Sequence, residues 1–101
     1  MMLLTAELKR KLPKLYSQEN NPDPKVVVKF FDPCGSWTWY ATEFDGEDTF
    51  FGFVRGFEEE LGYFSLSELA SVKNKLGLGI ERDMHWDSDT PLSKVRSGEA
   101  R

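Results

Sequence analysis

The sequence predicts an α+β fold: a small antiparallel meander sheet of three to four strands, with one main helix packed on one face and a short N-terminal helix. Two observations predict it. Twelve of the 14 aromatic residues lie between Phe30 and Phe64, in β-branched and aromatic segments separated by turn residues, which is typical of strands. Over residues 65–76, by contrast, apolar residues recur at the spacing of a helix.

Size and composition indicate one domain, over residues 1–101, because 101 residues with 40% hydrophobic content can form a single modest core. The chain contains no apolar run of the roughly 20 residues needed to cross a membrane. Its first residues lack the apolar region of a signal peptide. Cys34 is the single cysteine, so no internal disulfide can form. We expect a cytoplasmic protein.

The N-terminal helix is predicted to begin after Thr5, whose hydroxyl can accept hydrogen bonds from the amides of the first turn. Leu8 and Leu12 lie one turn apart on the same face, and Pro13 ends the helix. Residues 17–24 contain two prolines and almost no apolar side chains, so they predict a loop.

The meander is predicted from three segments: residues 25–31 (KVVVKFF), 36–44 (SWTWYATEF) and 49–57 (TFFGFVRGF). Turn residues at positions 32–35 and at Asp45-Gly46 separate these segments. A short last strand is predicted over residues 80–86 (IERDMHW), where side chains alternate between two faces.

Strand alternation divides the side chains of the hairpin between two faces of the sheet. The turn can place either Asp45-Gly46 or Gly46-Glu47 at its tip, and both registers give the same division. A three-residue loop would instead swap the pairing between the strands. The first face, which we predict to be the core face, carries Trp37, Trp39, Ala41, Phe50, Gly52 and Val54. The second face carries Thr38, Tyr40, Thr42, Phe51, Phe53 and Arg55.

The second face combines aromatic rings with hydroxyl groups and one cation. It is too polar for a solvent-excluded core and too aromatic for a surface without a binding role. Tyrosine and arginine are enriched at interface hot spots, so we predict these six residues to form a binding surface. The alternative is that the N-terminal helix or the C-terminal tail covers this face and makes it a second small core.

The main helix is predicted over residues 65–76, because Ser65 and Glu68 match a capping box. Its apolar stripe consists of Leu66, Leu69, Val72 and Leu76, and Gly77 supplies the C-terminal stop. We interpret this helix as scaffold rather than catalytic apparatus. The tail after Asp87 is polar and is predicted to fray, above all over residues 94–101.

The net charge of −4 is unevenly distributed along the chain. Residues 43–68 contain one basic and eight acidic side chains, a net charge of −7. Six of these form an acidic patch in two clusters: Asp45, Glu47 and Asp48, and Glu58, Glu59 and Glu60. The patch has two interpretations, either solvated loops or a surface that meets a basic partner and disfavours nucleic acid.

The sequence predicts no catalytic residues and no metal site. One His and one Cys cannot build the usual structural zinc site, and consecutive glutamates do not converge on one ion. Cys34 has only His85 as a possible imidazole partner. The other polar cluster is Glu81, Arg82, Asp83 and His85, for which an ion pair or surface edge competes with acid–base work. We expect no cofactor and no enzymatic activity.

Four segments of the chain resemble one protein family: LLTAELKRKLPKLYSQE, WTWYATE, FFGFVRGFEEELGYFSLSEL and GLGIERDMHW. It is the domain-of-unknown-function family 2958, small bacterial proteins often encoded on plasmids, conjugative elements and phages. The resemblance covers residues 3–93 and carries over no catalytic residues. The resemblance implies that the gene occurs among the accessory genes of mobile elements, and such genes often encode antirestriction and other counter-defence proteins.

These observations lead to one hypothesis and one alternative. The hypothesis is a non-enzymatic accessory protein of a mobile element that binds a protein partner. Its most concrete form is a counter-defence inhibitor of the antirestriction or anti-CRISPR type. The alternative is a nucleic-acid-associated factor that stacks bases on the aromatic second face. A small enzyme ranks third, and a membrane partner is not expected.

Overall fold

The computed structural model of the protein describes residues 2–73 and 76–100. The described chain forms a five-stranded antiparallel sheet, a two-stranded sheet and three short helices. In chain order the elements are α1 (Ala6–Lys11), β1 (Lys25–Val26), β2 (Val28–Phe31), β3 (Thr38–Phe44), β4 (Thr49–Arg55), β5 (Glu59–Ser65), α2 (Leu66–Ser71), β6 (Glu81–Arg82), β7 (Thr90–Pro91) and α3 (Leu92–Arg96). The large sheet has the order β5-β4-β3-β2-β6, and β1 pairs with β7 in the small one.

The prediction of one main helix packed on a sheet of three to four strands is wrong. The helix expected over residues 65–76 spans only Leu66–Ser71, because the backbone turns extended at Val72 (φ −72°, ψ 130°). Residues 74 and 75 of that prediction lie outside the described residues. The chain before the helix instead forms β5, which pairs with β4 along its whole length. Aromatic and β-branched cross-strand pairs stabilise such a ladder, so Tyr63 and Phe64 join the sheet.

Strands β3 and β4 confirm the predicted hairpin, but its turn is longer than the two residues predicted, since the Asp45 amide bonds to the Thr49 carbonyl. Strand β6 confirms a short last strand, although only over Glu81–Arg82. The segment predicted as one strand over residues 25–31 is interrupted at Val27, whose amide donates to the Ala41 carbonyl. Thr38 pairs with Arg55 and Ala41 with Gly52, which gives the predicted division of side chains between faces. A register shift between Ala41 and Glu43 then brings both Thr42 and Glu43 onto the second face.

The first face of the sheet carries the larger core. Phe44 stacks on Phe50 with ring centroids 4.5 Å apart, and Phe30 meets Phe50 edge-on at 5.4 Å. Helices α1 and α2 and the N-terminal segment cover these rings; their contributions are Leu3, Leu4, Leu8, Leu12, Leu66 and Leu69. A side chain at Gly52 would collide with the Tyr40 carbonyl, so glycine is required there.

The tail after Asp87 does not fray as predicted, because β7 and α3 fold back onto the second face. Leu92 and Val95 are buried there with Val26 and the β3–β4 aromatics. The Asp23 carboxylate accepts hydrogen bonds from the Ser93 amide and hydroxyl, at 2.8 and 2.7 Å, and so caps the start of α3. Leu92 and Val95 are apolar residues in an otherwise polar tail, so the overall composition of the tail did not indicate that it packs on the sheet.

None of the helices in the described part of the chain is both long enough and apolar enough to cross a membrane.

Candidate functional site

The predicted binding face divides into a covered half and an open half. In the covered half, Tyr40 and Phe53 are 2% and 1% exposed and pack under α3. Arg55 donates to the Val95 carbonyl at 2.7 Å, and its guanidinium lies 5.7 Å from the Tyr40 ring centroid. The structure thus places Tyr40 and Phe53 in a second small core, the alternative raised by the sequence, and the half-buried Arg55 lies at the edge of that core.

The open half is a cleft of about 340 Å³ between the loop of residues 14–24 and α3. Thr42 and Phe51 from the predicted face line it, and Thr38 lies outside it, at the far end of β3. Thr42 is itself buried and donates its hydroxyl proton to the Phe51 carbonyl. The cleft therefore retains two of the six predicted binding residues and adds others that the sequence did not identify. Among these are Tyr16, Glu43, Leu61, Tyr63 and Arg96.

Glu43 fixes one wall of the cleft. Its side chain is almost fully buried, at 4% exposure, and its carboxylate accepts hydrogen bonds from the Tyr16 and Gln18 amides at 2.9 and 2.8 Å. Tyr16 has φ of 69°, a left-handed conformation that is costly for a bulky residue. The two hydrogen bonds to the buried carboxylate stabilise this strained turn and hold the Tyr16 ring beside strand β5.

Two tyrosines face each other across the mouth of the cleft. The rings of Tyr16 and Tyr63 meet edge-on at 6.4 Å, and Tyr63 also contacts Phe51 at 5.0 Å. The hydrogen bond with Tyr16, followed by desolvation and nearby negative charge, raises the pKa of Tyr63 above its ordinary value of 10.0. At neutral pH both the donor and the acceptor functions of this hydroxyl are therefore present, and it carries no charge.

The rim of the cleft bears one exposed anion, Glu19, and one exposed cation, Arg96. The Arg96 guanidinium lies 5.3 Å from the Phe53 ring centroid, so it also covers the edge of the small core. Phe51 and Leu61 of the sheet form the apolar floor of the cleft. The rings of Tyr16 and Tyr63 lie at its mouth, and polar side chains such as that of Gln18 complete the lining. Such a site suits an apolar or amphipathic side chain of a partner, oriented by a few polar groups.

The acidic patch separates into clusters with different roles. Asp45 accepts three backbone hydrogen bonds within its own turn, from Glu47, Asp48 and Thr49, and these lower its pKa. The Asp48 carboxylate accepts from Ser65 and Ser67 at the start of α2, which lowers its pKa as well. These two aspartates are structural. Ser65 accepts from the Glu68 amide as predicted, and the carboxylate that reaches Ser65 is that of Asp48.

The second cluster, Glu58, Glu59 and Glu60, is exposed on the hairpin between β4 and β5. Glu59 lies 3.3 Å from the Arg55 guanidinium, with its side chain 56% exposed, so the contact is solvent-screened and weak. Glu47 is also exposed. The surface-charge interpretation of the acidic patch therefore fits the β4–β5 hairpin and Glu47 rather than all six residues.

The residues considered for catalysis lie apart from the cleft. Cys34 is exposed in the β2–β3 turn, and His85 is exposed after β6. Asp83 lies 3.6 Å from Lys29 in an ion pair and accepts from the His85 amide, not from its ring. Arg82 donates to the Met2 carbonyl. Within residues 2–73 and 76–100, no three His, Cys, Asp or Glu side chains form a group that could hold a metal ion.

Sequence reasoning missed Glu43, which strict alternation assigns to the apolar first face. A carboxylate at that position, between Ala41 and Phe44, is a signal of a β-bulge, because burial in the core without partners is too costly. Leu61 and Tyr63 were missed because β5 was not predicted. Tyr16 could not be placed by any local pattern, since a hydrogen bond to a residue 27 positions away brings it to the site.

The family model described as "Protein of unknown function (DUF2958)" matches residues 3–99, so the chain belongs to this family. The match extends the region of resemblance through the C-terminal helix α3. No curated protein and no solved structure matches the chain.

Proposed function

We propose that this member of the family is a non-enzymatic binding protein that acts by protein–protein contact. The contact surface is the cleft over Phe51 and Tyr63 together with the adjoining strand β5. The observation that carries the proposal is the composition of the cleft. It brings two exposed tyrosines and an apolar floor together in a concave surface whose geometry is fixed by the buried carboxylate of Glu43.

A protein partner fits this surface better than a small solute. Tyrosine side chains supply contact area at low entropy cost, and a desolvated aromatic pocket with a polar rim is the usual form of an interface hot spot. The cleft opens beside the edge of the sheet, so a partner segment can contact both. The net charge of −7 over residues 43–68 disfavours the phosphate backbone of a nucleic acid, which makes nucleic-acid association the less favoured alternative.

The biological setting we propose is that of a mobile-element accessory protein, with counter-defence inhibition as its most concrete form. Family resemblance alone supports this setting. The physical proposal, partner binding through the cleft, stands on the contacts described above and is tested separately.

The test is affinity capture of the tagged protein from cells that carry its gene, followed by mass spectrometry and measurement of the dissociation constant of each captured partner. Tyr63→Ala should raise the dissociation constant of the specific partner roughly tenfold or more, which is the effect of losing an aromatic side chain at an interface hot spot. Phe57→Ala is the matched control, since Phe57 is 95% exposed and lies outside the cleft. Equal binding by both variants contradicts the cleft, and capture abolished by nuclease treatment supports the nucleic-acid alternative.

A further inference from the structure

The two edges of the five-stranded sheet are protected to different degrees. At the β6 edge the strand has only two residues, and Arg82 holds the N-terminal segment there by donating to the Met2 carbonyl at 2.6 Å. At the other edge, β5 has seven residues and is the terminal strand of the sheet. Natural sheets usually shorten, cover or kink such an edge, because its unpaired backbone groups accept further strands.

The register identifies which backbone groups of β5 point away from the sheet. The Leu66 amide bonds to the Asp48 carbonyl, and the Gly56 amide bonds to the Glu58 carbonyl; both pairs continue the β4–β5 register. Antiparallel ladders alternate between hydrogen-bonded and non-hydrogen-bonded pairs. Residues 60, 62 and 64 therefore bond to β4, and residues 59, 61 and 63 direct their amide and carbonyl groups outward.

The outward-facing residues also present side chains to the cleft. Leu61 and Tyr63 lie opposite Phe53 and Phe51 on the second face, and they are 45% and 56% exposed. A strand added beside β5 would align its own alternate side chains with this apolar row and place one of them at the mouth of the cleft. The backbone groups and the cleft would then be used by one extended segment.

Charge selects the kind of segment. Glu58, Glu59 and Glu60 are exposed at the beginning of β5, where an added strand would run past them. A basic segment is attracted to this end, whereas a second copy of the chain would bring another set of the same glutamates to the interface. The charges therefore favour a basic partner over self-association.

We propose that β5 takes an extended, basic peptide segment of a partner protein as an added sixth strand of the sheet. This proposal rests on the proposed function, in which this side of the molecule is the contact surface. It specifies the conformation of the bound segment, the groups that hold it and its charge.

The probe is a fluorescent peptide of alternating lysine and valine, equal in length to β5, with binding followed by anisotropy. A matched peptide of alternating glutamate and valine should bind roughly tenfold more weakly or worse, because its charges repel the hairpin. The lysine–valine peptide with all of its backbone amides N-methylated should also lose binding, because neither of its edges can then donate hydrogen bonds to β5. Equal binding by the three peptides overturns the proposal, as does failure of the lysine–valine peptide to bind.

The matched protein variants are Leu61→Pro and Leu61→Ala. Proline removes the outward amide and leaves the bonds to β4 intact, whereas alanine keeps the amide and shortens the side chain. Leu61→Pro should bind the lysine–valine peptide roughly tenfold more weakly than Leu61→Ala does. Circular dichroism verifies folding, and the N-methylated peptide supplies the same comparison if the proline variant does not fold.

Amide hydrogen exchange gives a residue-level readout of the same complex. The amides of Leu61 and Tyr63 should gain protection on peptide binding, and that of Gly62, already in the ladder, should not. Protection without this alternation, or a concentration-dependent dimer through β5, overturns strand addition. If strand addition fails while Tyr63→Ala still weakens binding of the captured partner, the cleft remains the contact surface and only the proposed binding mode is lost.

Discussion

The covered and open halves of the second face are built from neighbouring side chains of one sheet, yet they differ in exposure. Phe53 and Leu61 are direct cross-strand partners, and their exposures are 1% and 45%. Phe53 lies under α3, and Leu61 borders the cleft. The difference teaches that the strands determine which side chains share a face, and the segment that folds over them determines which are available to a partner.

The largest expected effect is on the covered half. Phe53→Ala should lower the free energy of unfolding by about 3–5 kcal/mol, because it leaves a cavity among Tyr40, Leu92 and Val95. Chemical denaturation measures the change. Phe57→Ala, on a residue of the same type that is 95% exposed, should stay within about 0.5 kcal/mol of the parent. Similar losses in the two variants would mean that α3 does not cover this half.

One wall of the cleft depends on Glu43. Glu43→Gln should cost about 1–3 kcal/mol, because one of the two loop amides then meets an amide group instead of a carboxylate oxygen. Glu47→Gln is the matched control on an exposed glutamate. If both variants unfold at the same denaturant concentration, the buried carboxylate does not hold the Tyr16 turn, and the cleft loses its fixed wall.

The cap of α2 has a smaller effect and tests scaffold against site. Ser65→Ala should destabilise the protein by ~1 kcal/mol, since its hydroxyl accepts from the Glu68 amide. Partner binding should be unchanged, because the substitution keeps the β5 backbone and the lost hydroxyl contacts Asp48, Ser67 and the Glu68 amide rather than the cleft. Denaturation and a binding assay on the same preparation measure both quantities. Full stability with lost binding would contradict the scaffold role.

The elements that local chemistry determines were predictable from the sequence. Thr5 accepts from the Leu8 amide and Ser65 from the Glu68 amide, as their caps require, and strand alternation predicts which side chains of residues 38–41 share a face. The turn of the hairpin was not predictable in the same way, because the β-bulge changes the register beside it. Strand β5 was not predicted, since its aromatic end merges into the capping box of α2. The cleft depends on the Glu43 bulge and on Asp23 holding α3 through Ser93, 70 residues away, and no local pattern reports such contacts.

The link between Asp23 and α3 predicts a pH dependence of stability. Hydrogen bonds from the Ser93 hydroxyl and amide lower the pKa of Asp23 below its ordinary value of 3.8. A lowered folded-state pKa stabilises the fold above pH 3.8 and loses that contribution as the pH falls through the folded value. Asp23→Asn should therefore be less stable than the parent at neutral pH, with the difference shrinking in acid. Chemical denaturation at neutral pH and in acid measures the difference in the free energy of unfolding between the two proteins. A difference that does not change with pH would show that the charge of Asp23 is unimportant for stability.

The smallest expected effect on stability is in the open half, and it completes the comparison. Leu61→Ala should change the free energy of unfolding by roughly 0.5 kcal/mol, because Leu61 borders the open cleft and is 45% exposed. The measurement is the same denaturation experiment used for its cross-strand partner Phe53. A loss as large as that of Phe53→Ala would mean that Leu61 is packed in solution and that the cleft is closed. A small loss, together with weakened partner binding in Tyr63→Ala, is the result expected of a surface maintained for contact rather than for folding.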